Sequence, residues 1–436
     1  MKKFKNLFIY TVICASFALY SCEGPMGPAG KDGKDGVDAN ETCKLCHNPA
    51  SVDLISAQYE LSKHSYGEAA TSEAGNTGCS PCHESEAFKY VCKNNVPSTF
   101  TKITGSYKYA NDYASVATAA YGEITCSTCH SSLHTTYGAS DVPALTTTAA
   151  VSMTFFGGAQ AINLTQKGGE GNLCVKCHQP RPFTNARTGN VLNYDSLKTF
   201  PTAVLYDGNP AGTTNRIKPG YRTHTHYGTA GAIFAGKGGV EFGSGYSNSM
   251  HTTVASCQDC HMGDMNGKAG GHTFSAIGNF NGCNVTGCHG ANPISSATTS
   301  KYWKQTRDNI KSLLDQLAVK LKVGGVEILN RNPDATSNLW VGLTTNNYDG
   351  YLNVYDPINN PNGLTNNTGG TFKAASTTGF SAAQITTNNS LPVLTLTNAQ
   401  MGAIINFQLC LRDYSLGIHN TAYTTTLLTN TLAALP

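Results

Sequence analysis

Cys-x-x-Cys-His occurs five times: Cys43/Cys46/His47, Cys79/Cys82/His83, Cys126/Cys129/His130, Cys174/Cys177/His178 and Cys257/Cys260/His261. A sixth copy is stretched to Cys283-Asn-Val-Thr-Gly-Cys288-His289. Together the copies use 12 of the 16 cysteines and six of the 13 histidines. Each copy brings two thiols and an imidazole to one place, and that repeated demand limits the chain to folds built around what those groups hold. Cys-x-x-Cys alone also serves zinc sites and dithiol redox pairs. Six copies followed by histidine, in a chain that opens with an export signal, point instead to covalent c-type haem.

The spacing has a chemical reason. Each thiol adds to one vinyl group of a porphyrin, and the vinyls sit on neighbouring pyrroles. Two intervening residues in a tight helical turn set the sulfurs at the required separation. The next residue then lies under the ring, where its imidazole reaches the iron. The proximal ligands are therefore His47, His83, His130, His178, His261 and His289. In the sixth copy two extra residues must bulge outward while the ends keep their separation, and Gly287 suits such a bulge.

The first residues read as a secretory signal, with Lys2, Lys3 and Lys5 ahead of an apolar Leu7–Leu19 run too short for a comfortable span. It ends Leu19-Tyr-Ser-Cys22, similar to a bacterial lipoprotein box with Cys22 lipidated. Glu23 favours the outer membrane by the same resemblance. Residues 24–38 are five Gly-x-y triplets, a collagen period. So short a run is expected to act as a stalk, reaching about 45 Å at about 3.1 Å per residue. The expected organisation is a signal peptide (1–21), lipidated cysteine and stalk (22–40), a hexahaem region (41–300) and a C-terminal helical region with an Asn/Thr-rich loop insertion (301–436).

The expected fold is mainly α with extensive irregular loops, organised around covalent haems that replace much of the side-chain core. Tyr302–Lys322, Asn398–Arg412 and about Asn420–Leu435 read as helices by apolar periodicity, with Gly417 as the stop signal of the second. Residues 344–392 read as exposed loops with a short strand around Tyr351–Val354. The formal charge of +3 with 13% charged residues argues against nucleic acid binding. Cys92 and Cys410 are left over, either as a disulfide or as two separate thiols.

Over residues 43–289, and in the short segment around His419, the chain resembles multihaem c-type cytochromes. Seven histidines remain for distal ligation: His64, His134, His224, His226, His251, His272 and His419. The resemblance implies distal roles for His251, six residues before Cys257, for His272 in Gly-His-Thr-Phe274, and for His419 in Asp413-Tyr-Ser-Leu-Gly-Ile-His419. His64, His134 and His226 each precede an aromatic–Gly pair closely. His134 lies one turn after His130, so it is expected to serve a neighbouring haem. His224 would point away from His226 in an extended segment and is the one left over.

Six distal histidines for six irons predict bis-histidine haems of low potential, and so an electron carrier rather than an enzyme. The implied partners are redox proteins or extracellular electron acceptors, with the membrane reached through the lipid anchor. A filament or homo-oligomer would follow if one subunit's histidine completed a haem on the next. The implied location is the outer membrane, facing the periplasm or the cell surface. The alternative is a multihaem reductase or oxidase of a nitrogen or sulfur oxyanion, with one open iron near Arg181 or Arg222. The Cys-x-x-Cys-Lys motif of pentahaem nitrite reductases is absent from this chain.

Overall fold

The computed structural model describes residues 50–66, 79–94, 101–102, 109–110, 123–130, 144–153, 160–181, 183, 192–206, 220–223, 225–295, 297–331, 346–358, 370–374 and 376–436. The signal, Cys22, the stalk, the first motif (Cys43, Cys46, His47), His134 and His224 lie outside these residues. The chain is mainly helical with little sheet. Its longer helices are α1 (Val52–Glu60), α2 (Ser85–Lys93), α3 (Thr306–Lys320), α4 (Ala382–Ser390), α5 (Asn398–Arg412) and α6 (Thr421–Ala434). Among the described residues no helix is long and apolar enough to cross a membrane.

Helix α5 is the centre of the molecule. Thr397 caps it, accepting from the Gln400 backbone while the Gln400 side chain reaches back to the Thr397 N–H. Nearly every residue along α5 is buried, so all its faces meet protein. Ile310, Leu314 and Leu317 of α3 and Tyr423, Leu427 and Leu428 of α6 join it in one apolar core. That core also takes in Val151, Met153, Val175, Ile233 and Phe242 from the motif-bearing part of the chain. Strand β1 (Val204–Tyr206) pairs antiparallel with β4 (Leu396–Thr397), at the entrance to α5. Strands β2 (Leu329–Arg331) and β3 (Tyr348–Leu352) form a second antiparallel pair. The C-terminal helices and the motif region therefore share one interior.

The polar residues of α5 staple the loops that carry histidines. Asn406 bonds both backbone groups of Val240, at 2.7 and 2.8 Å. Gln408 accepts from the Thr225 N–H at 2.9 Å and donates to the carbonyls of Thr223 (2.9 Å) and Gly350 (2.7 Å). The Arg412 guanidinium donates to the Thr225 carbonyl, and its own carbonyl receives the Gly228 N–H at 3.2 Å. Thr223 and residues 225–229, with His226 among them, are thus held against α5 by hydrogen bonds.

Three expectations are corrected. The stretch 344–392 is not simply exposed loop. Tyr348, Leu352, Val354, Tyr355 and Phe372 in it are buried, and α4 begins there at a Ser381/Gln384 capping box. The strand sits at Tyr348–Leu352, a few residues earlier than the expected Tyr351–Val354. Gly417 does not end α5, which stops at Arg412. Tyr414 and Leu416 already adopt positive φ before Gly417 does. Gly417 is needed instead because α3 passes so close that a Cβ there would lie 2.7 Å from Ile310.

Candidate functional site

The five described motifs form single turns. The His N–H closes onto the carbonyl of the first cysteine at 3.2 Å in Cys79–His83 and at 2.9 Å in both Cys126–His130 and Cys174–His178. The stretched copy makes the same closure, His289 N–H to the Cys283 carbonyl at 3.0 Å. Its extra residues bulge through Gly287 at φ 90°. Insertion has therefore changed the loop and kept the ends. Asn284 fastens this loop through both backbone groups of Ile294, at 2.7 and 2.9 Å. Thr125 and Ser256 cap the turns of the third and fifth copies through capping boxes.

Each of the five described motif histidines faces one of the remote histidines. His178 faces His64 with ring centres 6.1 Å apart, and His83 faces His226 at 6.2 Å. His130 faces His272 at 6.4 Å, His289 faces His251 at 6.2 Å, and His261 faces His419 at 6.0 Å. An iron held by an imidazole nitrogen on each side, at about 2 Å per bond, puts the ring centres roughly 6 Å apart. The spacing thus suits six-coordinate iron and is too wide for stacked rings in contact. His64, His226, His251, His272 and His419 each belong to one of these pairs; His47, His134 and His224 lie outside the described residues.

The second ring nitrogen is occupied in several of these histidines, which fixes the ring and leaves Nε2 toward the gap. His130 Nδ1 meets the Ala144 carbonyl at 3.3 Å, His261 Nδ1 that of Phe274 at 2.8 Å, and His251 Nδ1 that of Ile418 at 2.9 Å. His178 bonds the backbone of Gly228. His419 Nδ1 bonds the buried carboxylate of Asp413 at 2.5 Å. Burial pushes the pKa of His64, His261, His272 and His289 down, and that of His178 to about 4. These rings are therefore neutral near pH 7, the form that binds metal. Burial also acts to lower His419, but the Asp413 charge and hydrogen bond more than offset it and leave its pKa raised.

Helix α1 positions both halves of one pair. Gln58 accepts from the His272 N–H at 3.0 Å, while the Tyr59 hydroxyl donates to the Ile124 carbonyl beside the third motif. Neighbouring pairs touch. Phe274 lies between His64 and His272, with ring centres 5.0 and 5.8 Å away. The thiols of Cys82 and Cys177, of Cys174 and Cys257, and of Cys260 and Cys283 lie close to one another across motifs; Cys82 Sγ donates to the Lys176 carbonyl and Cys257 Sγ to that of Gly171, both at 3.9 Å. The second, fourth, fifth and sixth motifs thereby form a row. The third lies beside it, where Thr128 donates to Ser85 at 2.8 Å. Among the described residues no group of three or more His, Cys, Asp or Glu is set to hold a metal ion; the histidines meet in twos.

Sequence reasoning missed Asp413 and Phe274 as partners, although both lie in segments already marked for their histidines. Of the two arginines considered for an open site, Arg181 donates to Cys79 Sγ at 3.4 Å, and Arg222 is exposed. Cys92 and Cys410 are both free thiols, Cys92 in α2 and Cys410 inside α5. Burial pushes Cys92 up to about 11 and Cys410 well above its usual value. An alkylating reagent should label Cys410 only after denaturation. Labelling of the native protein, read by peptide mass, would contradict the packing of α5. No family model, curated protein or solved structure matches this chain.

Proposed function

We propose that this chain is an exported electron carrier whose motifs hold c-type haems, each iron clamped between two imidazoles. The observation that carries the reading is the meeting of five motif histidines with five remote ones at 6.0–6.4 Å. When bound, the haems supply the one-electron iron couple and the conjugated edges between which electrons pass. The chain's residues supply everything else. The cysteines would fix the groups, and their closeness across motifs sets the attachment points of successive groups side by side. The carbonyls of Ala144, Phe274 and Ile418 orient the rings. Two imidazoles on one iron leave no position for a reactant, which favours conduction over catalysis.

All five pairs form within one chain, so none of them requires a histidine from a second copy. The signal-like start, the lipoprotein-like box at Cys22 and the Gly-x-y stalk support an outer-membrane anchor. From there the carrier would exchange electrons with redox proteins or extracellular acceptors.

Low-temperature EPR of the purified protein tests the proposal. Only low-spin ferric signals are expected, unchanged by nitrite or cyanide. The mutual tilt of axial rings sets the splitting of the iron d orbitals. Pairs tilted by 33° and 38° should therefore give a different low-spin signal from pairs tilted by 70° and 72°. A high-spin signal that shifts with nitrite would instead make the protein a reductase or oxidase.

A further inference from the structure

We propose that Asp413 makes the position between His261 and His419 the lowest-potential centre of the row; this rests on the haem-ligand reading above. The ring partners of His130, His178, His251 and His261 are backbone groups. His419 differs, because its partner is a carboxylate whose side chain is 1% exposed. A neutral carbonyl merely orients a ring. A carboxylate also draws the Nδ1 proton toward itself, which makes the imidazole a more basic ligand. A more basic ligand stabilises the ferric state over the ferrous. The buried negative charge acts in the same direction, since it favours the more positive iron and is little screened there.

The surroundings hold the carboxylate in place. Ser415 Oγ donates to the second oxygen of Asp413 and accepts from the His419 N–H at 3.1 Å. Arg307 reaches in from α3 and donates to the carbonyls of Tyr414 (3.3 Å) and Ser415 (3.0 Å). Its charge lies within electrostatic reach of Asp413 and offsets part of the carboxylate's field. Its hydrogen bonds are spent on the turn, so the proton-drawing contact to His419 stays with Asp413. The centre also has neighbours on both sides. His64 and His178 interact electrostatically with His261, and His178 also with His419. The His251 ring is tied to Ile418, one residue before His419. The least easily reduced centre would therefore sit inside the row and not at its end.

Asp413→Asn keeps the shape and removes the charge. Potentiometric titration of the haem-loaded variant should show the lowest resolved potential moved upward and the others nearly unchanged. Ser415→Ala removes a donor from the carboxylate, leaving it a stronger proton acceptor, and should move the same wave downward. A purely structural role would shift both variants in one direction. Intact mass separates the two levels of the proposal. Wild-type protein without covalent haems would overturn the ligand reading. Haem-loaded variants whose lowest wave stays put, or moves with the same sign in both, would overturn the role of Asp413. If Asp413→Asn does not fold, the downward shift in Ser415→Ala decides by itself.

Discussion

His251→Gly should convert one centre from six-coordinate to five-coordinate and leave the others as they are. His251 opens a single-turn helix at His251–Val254. Its ring is held by the Ile418 carbonyl at 2.9 Å, facing His289 at 6.2 Å. Glycine removes the imidazole and puts nothing in its place. The opposite ligand stays, because His289 is closed onto Cys283 and packs beside Tyr302 with ring centres 4.9 Å apart. One iron's worth of high-spin ferric signal is expected, shifting to low spin on adding cyanide. The same variant should gain the ligand-binding site that the native chain is proposed to lack. A spectrum with no high-spin component and no cyanide response would remove His251 from the ligand set.

The second large effect is on stability. Gln408→Leu should lower the unfolding free energy by about 3 kcal/mol or more, since each buried group left without its partner costs about 1–3 kcal/mol. Three groups lose theirs: the buried Thr225 N–H and Gly350 carbonyl and the half-buried Thr223 carbonyl. Leucine fills a similar volume, so lost hydrogen bonding and not a cavity dominates. The released segment, 225–229, carries His226 toward His83. Denaturant titration should therefore show an earlier midpoint, and the low-spin signal of that centre should broaden or weaken. A loss below about 1 kcal/mol would mean that water reaches those groups and that α5 does not hold the segment as described.

The sequence carried the local chemistry further than the long-range arrangement. The motif turns were legible because the cysteine spacing is itself the geometry, even in the stretched copy. Helix α5 was legible from Met401, Ile404, Ile405 and Leu409, and its bounds are those expected. Its polar half was not. Asn406, Gln408 and Arg412 add nothing to the apolar pattern, yet all three are fully buried, because their partners are loops far away in the chain. Distal histidines could be nominated one by one, but who faces whom follows no order along the chain. His64 passes the second and third motifs to meet the fourth, while His251, ahead of the fifth, meets the sixth. Loop closure decides such pairings, and periodicity holds no trace of it. Helix α4 had a visible start signal in Ser381 and Gln384, hidden by the Asn/Thr-rich composition around it.

The pairing of named histidines is tested most directly by locating the irons in crystals of the haem-loaded protein, from anomalous scattering at the iron edge. Five of the iron peaks should lie midway between His178 and His64, His83 and His226, His130 and His272, His289 and His251, and His261 and His419, with nitrogen on both sides. An iron at any of these motifs with water, or with a different residue, opposite its motif histidine would contradict the account.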